Sequence, residues 1–375
     1  MKRLQCVVTA ALLVVTIAAA RATEPGTNQP PRKPRTRNIM LVTTDGLRWQ
    51  EVFGGADPAL LNKEDGGVQR VDLLKDEFGR EAPENRRKTL LPFMWNVIAK
   101  NGQIFGNANV GSEAKVTNGR NFSYPGYNEI FTGAADPAID SNDKVPNRNV
   151  TVLEWLNGQD DFHNRIAAFG SWDVFPFILN HSRSKIRVVA GWNPLTGRGL
   201  SSEERLLSRL ITETPRMWEE CCYDAFTFHA ALEYFKRQRP RVLYVGLGET
   251  DEFAHMGRYD EYLHAANRFD THLRILWETV QSLPDYRDTT TLIVTTDHGR
   301  GDAPVEWKNH GAQIKGSERI WIGVLGPDTP AMGERTNVVP VTQSQIAATL
   351  AIFLGLDYRA SAPLAAPPIK DVFLR

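Results

Sequence analysis

Short apolar runs that stop at polar or glycine-containing turns alternate with amphipathic stretches along this chain. Ile39-Met40-Leu41-Val42-Thr43-Thr44 ends at Asp45-Gly46, and similar runs cover Arg187 to Ala190, Val242 to Gly246, Thr291 to Thr296 and Ile320 to Val324. Apolar runs of this length predict strands buried on both faces. Between them, helical spacing predicts helices over Leu90 to Lys100, Tyr124 to Phe131, Val152 to Leu156, Ser202 to Thr212, Asp224 to Lys236, Tyr259 to Ser282 and Thr342 to Leu354. The alternation predicts an α/β fold: a mostly parallel central sheet with helices on both faces, a three-layer sandwich. Gly54 to Arg86 is polar, glycine-rich and without a sustained period, and is expected to be a long surface excursion. No internal repeat and no convincing linker divides the chain after residue 38, so 38–375 is expected to be one domain.

The first residues change the picture of where the chain works. Lys2 and Arg3 precede an apolar stretch from Val7 to Ala20, about 14 residues, too short to span a bilayer comfortably. Ala20-Arg21-Ala22 follows as a small-x-small cleavage site. Residues 1–22 are therefore expected to be a signal peptide, with an N-terminal membrane anchor as the alternative. Thr23 to Arg37, with Pro25, Pro30, Pro31 and Pro34, is expected to be a flexible linker. Export would be to the periplasm or the exterior, with no membrane span left after cleavage.

Of the 375 residues, 42% are hydrophobic and 23% charged, as in a soluble globular protein, and formal net charge is zero. Loss of Lys2, Arg3 and Arg21 leaves 41 basic against 44 acidic residues. Nothing there favours a nucleic-acid scaffold as partner. Cys6 lies in the signal segment. Adjacent Cys221 and Cys222 cannot bridge without strain and are expected to be free, partly buried thiols.

Ligands of open α/β sheets bind at the carboxyl ends of strands. Three of the five runs lead into metal-type residues. The first ends at Asp45, the third leads into Gly248-Glu249-Thr250-Asp251-Glu252-Phe253-Ala254-His255, and the fourth ends at Asp297-His298-Gly299. Asp251 and His255 are four apart, so one helical turn or tight loop lets both reach one ion. Gly299 allows the chain to turn Asp297 and His298 inward together. His310 follows in the next loop. Mixed Asp/His ligation suits Zn²⁺ and accepts Mn²⁺ or Fe²⁺, whereas Ca²⁺ prefers oxygen alone. Each element alone is commonplace; three in this order after separate strands point to a catalytic centre.

With these residues in place, the chain from about Asn38 to Leu356 resembles the alkaline phosphatase superfamily, and within it the type I phosphodiesterase/nucleotide pyrophosphatase branch. The resemblance implies two divalent ions, one held by Asp45, Asp297 and His298 and the other by Asp251, His255 and His310. It also implies a nucleophile at Ser123, which precedes Tyr124-Pro125 and stands ahead of Thr132-Gly133. Ser123 is expected to N-cap a helix with Pro125 in its first turn, where the positive helix end favours a phosphate. Metal coordination would make that hydroxyl a usable nucleophile and Ser123 a metal ligand. The branch uses a downstream asparagine against a phosphoryl oxygen; Asn142, Asn147 and Asn149 are the candidates. Arg120 and Lys308 are candidate anion contacts, with solvated surface charge as the alternative. Gly126-Tyr127-Asn128 departs from the branch's usual Asn-His-Tyr, so the substrate class does not carry over directly.

The expected activity is secreted two-metal hydrolysis of a small phosphate ester through a phosphoserine, as a phosphodiesterase or nucleotide pyrophosphatase. A phosphomonoesterase and a sulfatase are alternatives, although Tyr127 stands where a sulfatase needs arginine. A phosphoglycerate mutase shares the metal set but is cytosolic and has a large second domain. A silent metal- or ligand-binding protein on the same scaffold is the alternative from a different class. His163, His181, His229, His264 and His272 lack metal-type spacing and are expected to be surface or helix residues. Trp49, Phe53 and Trp307 flank the ligand loops as candidate walls of a leaving-group pocket.

Overall fold

Asn38–Thr44 forms β1, the strand around which the domain is organised, because its alternate side chains are apolar on both sides. Met40 and Val42 enter one core and Ile39 and Leu41 the other. The computed structural model describes residues 33–374 apart from 198. The expected signal segment and most of the expected linker lie outside the described residues. The chain from Pro34 onward packs as one compact unit.

The other strands are β2 (Gln103–Phe105), β3 (Ala114–Lys115), β4 (Ile166–Gly170), β5 (Arg187–Ala190), β6 (Val242–Leu247), β7 (Thr290–Thr295), β8 (Ile322–Leu325), β9 (Gly333–Glu334) and β10 (Val341–Thr342). Eight of them form one sheet in the order β5-β4-β6-β1-β7-β8-β2-β9, while β3 and β10 pair separately. Only β8 runs antiparallel to its neighbours. The mostly parallel sheet is thus as expected, and all five predicted runs lie in it.

The principal helices are α1 (Trp49–Gly54), α2 (Val71–Phe78), α3 (Pro83–Leu90), α4 (Ser123–Thr132), α5 (Val152–Asn157), α6 (Asp224–Gln238), α7 (Glu249–His255), α8 (Tyr259–Ser282) and α9 (Gln345–Phe353). On one face of the sheet α6 and α8 bury Phe228, Phe235, Leu263 and Phe269 against Leu243, Val245 and Val294. On the other, α4, α5 and α9 bury Ile130, Phe131, Leu153 and Leu350 against Tyr244 and Ile293. Each fully buried Leu, Ile or Phe contributes about 1.5–3 kcal/mol, so both layers hold the sheet and fix where its strand ends point. No described helix is long and apolar enough to cross a membrane.

The stretch from Gly54 to Arg86 corrects an expectation. It is about half helical, and Leu60, Leu61, Val68, Leu74 and Phe78 are buried in the same core as Met40. Its apolar residues are too unevenly spaced to give a period, and tertiary packing orders them. Gly67 shows how close that packing is: its φ is +59°, and a Cβ there would meet the carbonyl of Gly257 at 2.1 Å.

Cys221 and Cys222 are free, and both are buried. Burial pushes the Cys222 thiol up to about 12, which leaves it unreactive. His272 is buried in α8, stacked on Phe228 with ring centroids 4.1 Å apart.

Candidate active site

β6, β1 and β7 are neighbours in the sheet and parallel, so their carboxyl ends open side by side. Asp45 follows β1, α7 with Asp251 and His255 follows β6, and Asp297 and His298 follow β7. Strand order therefore brings together residues more than 200 positions apart.

They form two groups. In the first, Nε2 of His298 is 3.2 Å from Asp45 Oδ1 and 3.5 Å from Asp297 Oδ2, with all three residues buried. In the second, Nε2 of His255 is 3.0 Å from Nε2 of His310 and 3.2 Å from Asp251 Oδ2. This group is more open to solvent. The groups abut, for the rings of His298 and His310 stack with centroids 4.0 Å apart. Within each group, candidate ligand atoms lie within 4.8 Å of one another.

The donor sets fit divalent ions. Asp45 Oδ1 and Asp297 Oδ2 are buried without hydrogen-bond partners, and these are the oxygens facing His298. Unpaired buried carboxylate oxygens are costly unless a cation meets them. The histidines are oriented from behind: His298 Nδ1 lies 2.9 Å from the Gly299 carbonyl and His310 Nδ1 3.1 Å from the Asn121 carbonyl. Because those carbonyls only accept, each Nδ1 carries the hydrogen and each Nε2 keeps a lone pair in the neutral ring.

The electrostatics tell the same story. Burial, then the charge of Asp45, raises Asp297 well above the carboxylate range. Burial alone would depress His298, but Asp297 and Asp45 outweigh it and push it up to about 9. His310 and His255 are lowered, chiefly by burial and then by His298. A bound metal would displace the protons that these shifts favour.

Ser123 begins α4, and its Oγ is 3.5 Å from His298 Nε2. The expected N-cap role is corrected: Phe122 is the N-cap, because the first helical bond runs from Gly126 N–H to the Phe122 carbonyl. The Ser123 hydroxyl makes no capping bond and is free to face the ligand groups. Asn142 Oδ1 accepts the Tyr124 N–H at 3.0 Å, placing that carboxamide at the same helix end.

The other anion-binding candidates divide. Asn147 is not brought to the site: it is buried, its Nδ2 donates to Asn128 Oδ1 and its Oδ1 accepts the Asn149 N–H. Asn149 is likewise tied to Asn128 and Asp136. Arg120 lies at the surface beside Asp140 and the Pro137 carbonyl. The Lys308 side chain runs past Gly257, two residues beyond His255. Trp307 is wholly buried against Tyr259 and Tyr262, with its Nε1 on the Asp65 carbonyl, so it is core rather than pocket wall. Trp49 and Phe53 line a cavity of about 490 Å³ shared with α3.

Several further residues reach the site without a role expected from the sequence. The Tyr127 hydroxyl donates to Asp45 Oδ2 at 3.0 Å; its place four residues after Ser123, on the same helix face, was a usable signal. Gly46 N–H donates to Asp297 Oδ1 at 3.1 Å. Gln343 Nε2 donates to the Thr296 and Asp297 carbonyls at 3.0 and 2.7 Å, from a residue with no sequence signal at all. Arg300, buried beside Asp251, is a fourth.

This sheet, with two Asp/His groups at its carboxyl edge, is the arrangement of a metal-dependent phosphoric ester hydrolase. Residues 75–317 match the family model described as type I phosphodiesterase / nucleotide pyrophosphatase, and the chain belongs to that family of phosphoric ester hydrolases. The match includes Ser123, Asp251, His255, Asp297, His298 and His310; Asp45 precedes it. None of the curated proteins matches. Among solved structures, wild-type alkaline phosphatase PafA is similar at a TM-score of 0.58 and 10% identity, covering 92% of this chain and 99% of that one. The lipoteichoic acid synthase LtaP from Listeria monocytogenes gives 0.55 and 10%, covering 86% and 73%. BT1596, a 2-O GAG sulfatase, gives 0.53 and 12%, covering 91% and 74%. At these identities the likeness is one of fold.

Proposed function

We propose that the protein is an exported two-metal phosphodiesterase or nucleotide pyrophosphatase acting through Ser123. The observation that carries this reading is the position of Ser123 Oγ, 3.5 Å from His298 Nε2, beside two ligand groups whose histidines stack. Asp45, Asp297 and His298 would hold one ion and Asp251, His255 and His310 the other, with Zn²⁺ favoured by the donor chemistry over Mn²⁺ or Fe²⁺. Bound ions would lower the pKa of the Ser123 hydroxyl and neutralise charge on the attacking and leaving oxygens.

The chain's own residues do the rest. α4 presents Ser123 at its positive end. The Asn142 carboxamide, its oxygen already on Tyr124, has its Nδ2 to offer a phosphoryl oxygen. Ser123 Oγ gives up its proton and bonds to phosphorus as the first ester bond breaks, the departing oxygen taking up a proton; the phosphoserine keeps the second ester group, and water then displaces Ser123, which regains its proton. Two in-line inversions give net retention at phosphorus.

Ser123→Ala is the test. It should retain both ions while losing at least 10³-fold in turnover, since no second nucleophile replaces the hydroxyl. Wild-type turnover in that variant would remove Ser123 from the reaction. Intact mass of the Ser123 peptide separates this reading from a sulfatase: an unmodified serine fits a phosphoserine route and a formylglycine contradicts it.

A further inference from the structure

Arg300 is wholly buried between the two ligand groups and belongs to neither. Its Nη2 donates to Asp251 Oδ1 and, at 3.2 Å, to the Asp251 carbonyl. Its Nη1 donates to the Lys308 carbonyl at 2.6 Å. Its Nε fills the space that a side chain at Gly46 would need, 2.8 Å from a Cβ built there. One planar group thus touches the glycine after Asp45, the helix carrying Asp251 and His255, and the loop carrying His310. It stands two residues beyond His298 on its own strand end.

The orientation of Asp251 follows from this contact. With Oδ1 held by the guanidinium, Oδ2 is the oxygen left facing His255, at 3.2 Å. The Lys308 carbonyl, two residues before His310, is fixed by the same fork. A lone buried cation is costly, and here both Nη nitrogens donate to acceptors on two ligand-bearing segments, while Nε has no partner.

We infer that Arg300 is a positioning residue for the second ion: its fork sets the direction of Asp251 and ties the His310 loop to α7. The inference rests on the two-metal reading above. Lysine keeps the charge but cannot span acceptors on two segments with one fixed fork, so it separates positioning from simple charge balance.

The test is zinc binding by the full chain, measured as bound zinc per chain at buffered free Zn²⁺ concentrations. Circular dichroism and the thermal midpoint of the zinc-free protein are recorded alongside. Wild type is expected to bind two ions. Arg300→Lys is expected to hold one as wild type does and the other about 10- to 100-fold more weakly, the usual effect of losing a group that orients a ligand. Arg300→Met should show the same selective loss, and Arg300→Lys carries the test alone if the methionine variant does not fold. Two ions at wild-type affinity in folded Arg300→Lys would overturn the inference, and so would equal weakening of both ions, which marks a general structural role. A wild-type chain that binds no zinc contradicts the two-metal reading and this inference with it.

Discussion

The Tyr127 hydroxyl donates a 3.0 Å hydrogen bond to Asp45 Oδ2, and this leaves Oδ1 of the same carboxylate as the one turned to His298. On the proposed reading, α4 would carry two roles a turn apart: Ser123 at its first position, and the hydroxyl that aims a candidate ligand of the first ion. Tyr127→Phe keeps the ring packed against Phe175, 4.8 Å away, and removes only the hydroxyl. Affinity for the first ion should fall about 10- to 100-fold, with little loss of fold stability. Chelator competition measures it, and unchanged affinity would separate Tyr127 from the site.

Gly46 is constrained twice over. Its φ is +58°, and a Cβ would sit 2.8 Å from both Arg300 Nε and Asp251 Oδ1 and 3.2 Å from His298 Cε1. Gly46→Ala therefore adds backbone strain of about 1 kcal/mol and pushes apart the residues between the two groups. The expected result is a thermal midpoint a few degrees lower and at least a tenfold loss of turnover. An alanine variant with wild-type rates would mean that the crowding relaxes without moving the ligands.

Asp45, Asp297 and His298 were legible in the sequence because each ends an apolar run, and strand ends are where such sheets bind ligands. Asp251 and His255 were legible from their spacing, and they occupy one short helix. β4 escaped because three of the five residues in Ile166-Ala167-Ala168-Phe169-Gly170 are small, with weak strand preference. β2 and β9 are too short to leave a pattern. Asn147 looked like Asn142 in sequence; only the fold shows one carboxamide committed to Asn128 and the other at the head of α4. Arg300 stood two residues from a strong motif, but burial beside Asp251 is a tertiary fact.

His272 gives the fold a pH dependence away from the site. Burial, then the nearby charges of His229 and Arg268, lowers its pKa to about 3, and its Nδ1 has no hydrogen-bond partner. The folded value lies below the unfolded 6.5. Neutral His272 therefore stabilises fully above pH 6.5, and that contribution is lost as pH falls from 6.5 toward 3. At pH 5 the loss relative to pH 8 is about 2 kcal/mol. His272→Phe, which keeps a ring on Phe228, should flatten the fall in urea midpoint between pH 6.5 and 5. An equally steep fall in the variant would assign the dependence to other groups.

The most direct measurement is hydrolysis of bis-p-nitrophenyl phosphate against p-nitrophenyl phosphate by the purified protein, with added zinc and with chelator. A two-metal phosphodiesterase should show turnover that chelator abolishes and zinc restores, with higher kcat/KM for the diester. A higher kcat/KM for the monoester, or diester hydrolysis that persists in chelator, would contradict it.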